Sequence, residues 1–172
     1  MFKQYSKNAL AEYLRAFVFG VEDSLVSTVG LLSGIAIAGV GRETILLTGA
    51  ILIFVEAFSM AIGDFLSEYS AESYMRQAEV PSRRSFTAGS IMFFSYFLSG
   101  FIPLFPYLVL ISASAVWLSI GLSLLALFSL GVIGAKISNI NVLRSGLRML
   151  LIGGAAIFIG VIVGSFLPLT QN

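Results

Sequence analysis

The 172-residue chain has no cysteine and no histidine. Without cysteine there is no disulfide, no thiol nucleophile and no thiolate ligand. Without histidine there is no imidazole base, and the usual zinc and copper sites are out of reach. Any metal must be held by carboxylates, carbonyls, hydroxyls or methionine sulfur. Charge is also scarce. Charged residues make up 11% of the chain and the net charge is +1, against about 25% charged in soluble domains. That balance leaves no basic surface for nucleic acid. A Gly-rich phosphate loop is missing, as is an acid set beside a plausible nucleophile, so the chain does not read as an enzyme. No n-region, apolar stretch and small-residue cleavage site follow in order at the start, so no cleavable signal peptide is expected. The first fifteen residues mix Lys3, Lys7 and Arg15 with Phe2, Tyr5, Tyr13 and Leu14. They read as a short amphipathic segment on the membrane surface, or equally as a loose tail.

What remains is apolar. Hydrophobic residues make up 58% of the chain and the mean hydropathy is +0.97. This is the composition of an integral membrane protein. Five stretches are long and apolar enough to span, roughly 16–40, 44–67, 86–106, 110–135 and 146–168. They predict an all-α membrane protein of five transmembrane helices in a single transmembrane domain over residues 1–172. Pro103 and Pro106 are expected to end the third helix. No Gly or Pro interrupts residues 64–80, so the second helix is expected to run on to about residue 77 and leave the membrane. There it carries Glu68, Glu72 and Arg76, which read as a solvated face with one i,i+4 pair, Glu72 to Arg76.

Positive charge sets the orientation. Lys3, Lys7 and Arg15 precede the first span and Arg42 alone follows it. Arg76, Arg83 and Arg84 lie between spans two and three. Lys136, Arg144 and Arg148 lie between four and five, and the other two outer segments have no lysine or arginine. The alternation predicts an N-terminus in the cytoplasm and a C-terminus outside.

Two adjacent acids open the first span, in GVEDSLVSTVGLLSGIAIAGVG at residues 20–41. An ionised carboxylate at a helix centre costs roughly 2.5–3.5 kcal/mol on insertion scales. Asp23 and Glu56 both lie in span regions, so packing alone does not account for them. No lysine or arginine in their own two spans neutralises them, and a carboxylate without a countercharge takes up a proton or a cation. Exchange of one for the other is the core of a proton-coupled cation pathway. Glu56, Met60 and Asp64 repeat at steps of four and form one stripe. By rise along antiparallel helices, Asp23 is expected level with Met60, with Glu56 one turn deeper. Glu22 points about 100° away from Asp23, so Asp23 is the interior choice, with Ser27 and Gly30 on its face. A thioether beside carboxylates favours a borderline ion such as Fe(II) or Mn(II) over Mg(II) or Ca(II). The metal candidates are therefore Asp23, Met60, Glu56 and Asp64, with Glu22, Ser27, Glu68 and Glu72 as secondary ones. Gly30, Gly34 and Ala38, and Ala156, Gly160 and Gly164, form small-residue faces suited to close helix contact. Five helices make a thin bundle, and a polar route is easier to build between two copies, so a homodimer is expected.

These residues resemble a known family. GVEDSLVSTVGLLSGIA at 20–36 resembles the first helix of vacuolar iron transporter family proteins, and EAFSMAIGDFLSEYSAE at 56–72 is similar to their second. IPLFPY at 102–107 and LRSGLRMLLIGGAAIFIG at 143–160 resemble the end of the third helix and the last helix. The resemblance implies five helices, a homodimer, and movement of Fe(II) or Mn(II) out of the cytoplasm against protons, with no permanently bound cofactor. It also implies that Asp23 and Met60 line the route. Asp64 stands where the family usually has Glu, Ser24 replaces the usual Gly, and Glu56 stands where a small residue or a second Met is expected. Classical members carry a Glu- and Met-rich cytoplasmic metal-binding domain between helices two and three. Here about a dozen residues, near 75–85, form the link, which suggests a short prokaryotic branch in the plasma membrane. A cation-selective channel and a structural or assembly membrane protein are the alternatives.

Overall fold

A computed structural model describes residues 2–110 and 114–166, with side chains from residue 9 onward. Five α-helices follow one another: α1 Phe2–Ile37, α2 Arg42–Arg76, α3 Arg83–Val109, α4 Ser114–Ser138 and α5 Val142–Phe166. All five are long and apolar enough to cross a membrane, and no strand occurs among the described residues. Lys3, Lys7 and the expected end of the last span at residue 168 lie outside the described side chains or residues.

Two boundaries differ from the expectations, each for a physical reason. The segment before residue 16 is neither a surface helix nor a tail but the first turns of α1, which is one helix over 36 residues. Nothing before Gly20 breaks the helix, and Glu12 and Arg15 dock it onto α3 and α2 through ion pairs. Pro103 and Pro106 do not end α3, which continues to Val109. A proline removes one backbone donor, and packing inside a bundle can hold the helix through that loss. Both rings are fully buried, and Ser119 of α4 donates to the Pro103 carbonyl at 2.7 Å. The helix end is then met by Arg42, whose Nε donates to the Tyr107 carbonyl at 2.8 Å and whose Nη2 donates to that of Leu108 at 2.6 Å. A guanidinium on the last carbonyls satisfies orphan acceptors and opposes the negative end of the helix dipole.

The second helix runs as far as expected, stopping at Arg76 with Gln77 in the left-handed region at φ 51°. Residues 77–82 alone connect it to α3, so the link has no room for a further domain.

The bundle is built around α1, which packs on all four other helices. Neighbours in sequence from α2 to α5 pack on one another, but α2 and α5 do not meet. The ring around α1 is therefore open along one side. The outer faces of the two flanking helices are apolar, with Ile51, Phe58 and Ile62 on α2 and Ile152, Phe158 and Ile159 on α5 all exposed. Among lipid chains such faces are at home. The two small-residue faces find each other: Gly30 and Gly34 of α1 lie against Gly160 and Gly164 of α5. A Cβ on Gly160 would sit 2.7 Å from the Gly30 carbonyl oxygen, so a larger residue would push the two backbones apart.

Candidate functional site

Along α1, Asp23, Ser27, Gly30 and Gly34 fall within about 60° of one another at 100° per residue. Ser27, Gly30 and Gly34 form the floor of an open groove of about 580 Å3, walled on one side by Ala156, Gly160 and Gly164 of α5. Asp23 stands one turn nearer the N-terminal end of α1 on the same face. Small residues at the α1–α5 contact thus do two things at once. They let the helices touch, and they leave a trough beside an acid.

Ion pairs fix the register of α1 against α2. Arg15 donates to Asp64 at 2.9 Å. Eight residues further into α1 is Asp23, and eight residues back along α2 is Glu56. Asp23 lies within reach of the Glu56 charge. Met60 lies one turn from Glu56 along α2, on the side of the Arg15–Asp64 pair. Asp23, Glu56 and Met60 are all half-buried, as are Glu22 and Ser27.

The acids divide into two groups. Among the described residues, Arg15 pairs with Asp64 and lies 3.6 Å from Glu68, Arg76 pairs with Glu72 at 2.6 Å, and Arg84 pairs with Glu12. Asp23 and Glu56 belong to none of these pairs. The solvated face expected for Glu68 and Glu72 is not there. Their side chains are only 13% and 8% exposed, and each has an arginine instead of water. Asp64 belongs with this compensated group, although it shares the stripe of Glu56 and Met60.

A third helix also reaches the site. Tyr96 of α3 is fully buried, and its hydroxyl lies 2.8 Å from the Ser27 hydroxyl. The Tyr96 hydroxyl also lies within the field of both Asp23 and Glu56. Ser24 donates to the Tyr96 carbonyl at 2.7 Å and pins α1 to α3 beside it. Sequence reasoning missed Tyr96. A lone hydroxylated ring in a third span rich in phenylalanine was the available signal, since a buried Tyr hydroxyl needs a partner. Among the described residues no three acids converge as a ready metal cage. The chain brings two carboxylates, two hydroxyls and a thioether to this part of α1, α2 and α3.

The fold and site define a polytopic α-helical membrane protein with an acid, Asp23, one turn from a small-residue groove and outside the ion pairs of the described residues. The VIT family model matches residues 14–85 and 74–165. Vacuolar iron transporter homolog 3 of Arabidopsis thaliana is 32% identical over 173 aligned residues, covering 90% of this chain and 82% of that protein. Vacuolar iron transporter homolog 1 of Oryza sativa subsp. japonica is 31% identical, covering 85% and 69%. Vacuolar iron transporter homolog 1 of Arabidopsis thaliana is 32% identical, covering 87% and 79%. The chain belongs to the VIT family. These relatives are named for the vacuole and come from plants, so they lend no support to the expected prokaryotic plasma membrane.

Proposed function

We propose that this protein carries Fe(II) or Mn(II) out of the cytoplasm in exchange for protons, with Asp23 and Glu56 as the exchanging groups. The observation that carries this reading is the uncompensated pair Asp23–Glu56 in the membrane-spanning part of a VIT family chain. The name of the relatives, vacuolar iron transporter homolog, favours iron as the cargo. Two carboxylates close together repel when both are ionised, so the pair favours a state that holds a proton or a divalent ion. Met60 lies one turn away and favours a borderline ion over Mg(II). The clustering of arginines at the Arg15–Arg76–Arg84 end supports placing that end in the cytoplasm. Removal from the cytoplasm has the same direction whether the far side is a vacuole lumen or the cell exterior.

Ligand count supports a homodimer. Divalent ions of this class take four to six ligands, and one protomer supplies two carboxylates. The open side of the α1 ring is where a second copy would bring its own Asp23 face. The Gly-lined groove gives that approach room.

Purified protein in liposomes loaded with a metal-quenched dye tests the reading. Uptake of Fe(II) or Mn(II) that follows the proton gradient and is lost in Asp23→Ala and reduced in Met60→Ala is the expected result. Flux indifferent to the gradient would make the protein a channel. No flux of any divalent metal from folded protein would leave the acids structural.

A further inference from the structure

Two turns from Asp23 and Glu56 the bundle is closed by charge. Arg15 of α1 bonds Asp64 and lies 3.6 Å from Glu68, both on α2, while Arg84 of α3 clasps Glu12 of α1. Glu68 also lies in the field of Glu12 and Arg84, so the five side chains group across three helices. Most of it is out of water. Side-chain exposure is 3% for Asp64, 13% for Glu68, 15% for Arg84 and 24% for Glu12. Arg15, at 51%, is the member open to solvent. Glu12 is eleven residues from Asp23 and so within about 20° of it around α1. The cluster therefore stands over the face that carries the acid pair.

The cluster is also incompletely bonded. Asp64 Oδ2 is buried without a hydrogen-bond partner. An ionic closure differs from a packed one in what its open state costs. Parted apolar side chains expose surface to water, whereas parted ions gain hydration in exchange for the pair. A closure held by Arg15, half in water already, and by an Asp with one oxygen unsatisfied has a nearby open alternative.

We propose that Glu12, Arg15, Asp64, Glu68 and Arg84 form the gate on the cytoplasmic side of the Asp23–Glu56 site, shut in this conformation, with Arg15 as its latch. The proposal rests on the transport reading for what passes and on the arginine distribution for the side it faces.

The absence of cysteine makes the test direct. Ser27→Cys, a hydroxyl-to-thiol change on the groove floor, is made in the full-length protein in membrane vesicles of both orientations. A membrane-impermeant cationic thiol reagent is applied, and Ser82→Cys in the exposed 77–82 link serves as the accessible control. From the cytoplasmic face, labelling at position 27 is expected at least tenfold slower than at position 82. Arg15→Gln should raise the rate at position 27 at least tenfold from that face only. Asp64→Asn should do the same without leaving a buried charge unpaired, which covers the case in which Arg15→Gln does not fold. The swap of Arg15→Asp with Asp64→Arg should slow labelling again. Rapid labelling from the cytoplasmic face with Arg15 and Asp64 both intact, no change with either variant, or equal acceleration from both faces would each overturn the proposal. Labelling needs no metal flux, so an absence of transport in liposomes would overturn the transport reading and leave this result standing.

Discussion

Two sets of acids sit eight to twelve residues apart on the same two helices, and they differ in one respect. Among the described residues, Asp64 and Glu68, with Glu12, pair with or lie beside arginines; Asp23 and Glu56 are in no ion pair. Carboxylates in a low-dielectric medium must be neutralised somehow. At the end of the bundle the chain supplies the counter-ion covalently, and the result joins three helices. In the membrane-spanning part it supplies none, and the counter-ion must come from solution. The chemistry of the acids is the same in both places. On the reading proposed above, the availability of a tethered cation separates a structural joint from a binding site.

The comparison breaks most completely when the uncompensated set is removed. Asp23→Ala should lower gradient-driven metal uptake in liposomes by at least about 100-fold, while thermal unfolding in detergent stays close to that of the native protein. Loss of one unpaired carboxylate removes a burial cost, so a large fall in stability would mean that Asp23 is a structural acid after all. A subtler change makes the middle resemble the end. Phe19 is one turn before Asp23 on α1 and 44% exposed. Phe19→Arg places a guanidinium four residues before Asp23, the same spacing as Glu72 and Arg76 in the reverse order. The tethered cation should occupy the site and reduce uptake by at least about tenfold. An unchanged rate would show that a counter-ion at Asp23 does not compete with the cargo.

The division between these two sets was only half legible in the sequence. Five spans, the long α2 and the contact faces at Gly30 and Gly160 follow from hydropathy and periodicity, which depend on local composition. Which acid meets which arginine depends on helix register, and register is a property of packing. Arg15 was read as an orientation signal, and nothing local told that it would cross to Asp64. The prolines misled for a related reason. Helix-ending rules weigh the lost donor alone, whereas here both rings are fully buried in the bundle and Arg42 bonds the carbonyls at the true helix end.

At the compensated end, the expected effects are on stability. Arg15→Leu leaves Asp64, 3% exposed, without its cation. Breaking a buried pair costs roughly 3–5 kcal/mol, and about 2–3 is expected here because Arg15 is half in water. The double variant Arg15→Leu with Asp64→Leu should recover most of that loss, since an apolar pair replaces an ionic one at little net cost. Denaturant or thermal unfolding of the three proteins measures it. Failure of the second substitution to restore stability would mean that Arg15 acts through Glu68 instead.

The smallest change probes the group that touches the uncompensated set from the third helix. Tyr96→Phe keeps the buried ring and deletes the hydroxyl that meets Ser27 at 2.8 Å. A single hydrogen bond between neutral hydroxyls contributes about 1 kcal/mol, so unfolding should shift only slightly. Ser27 has water or cargo as an alternative partner in the groove, which lowers the cost further. The informative readout is the dependence of metal uptake on pH at fixed metal concentration. If the hydroxyl only ties α3 to α1, the profile of Tyr96→Phe should overlay the native one after scaling. If it takes part in sharing a proton with Asp23 and Glu56, whose charges it feels, the profile should move along the pH axis by a measurable fraction of a unit. The second outcome would extend the uncompensated site from two helices to three.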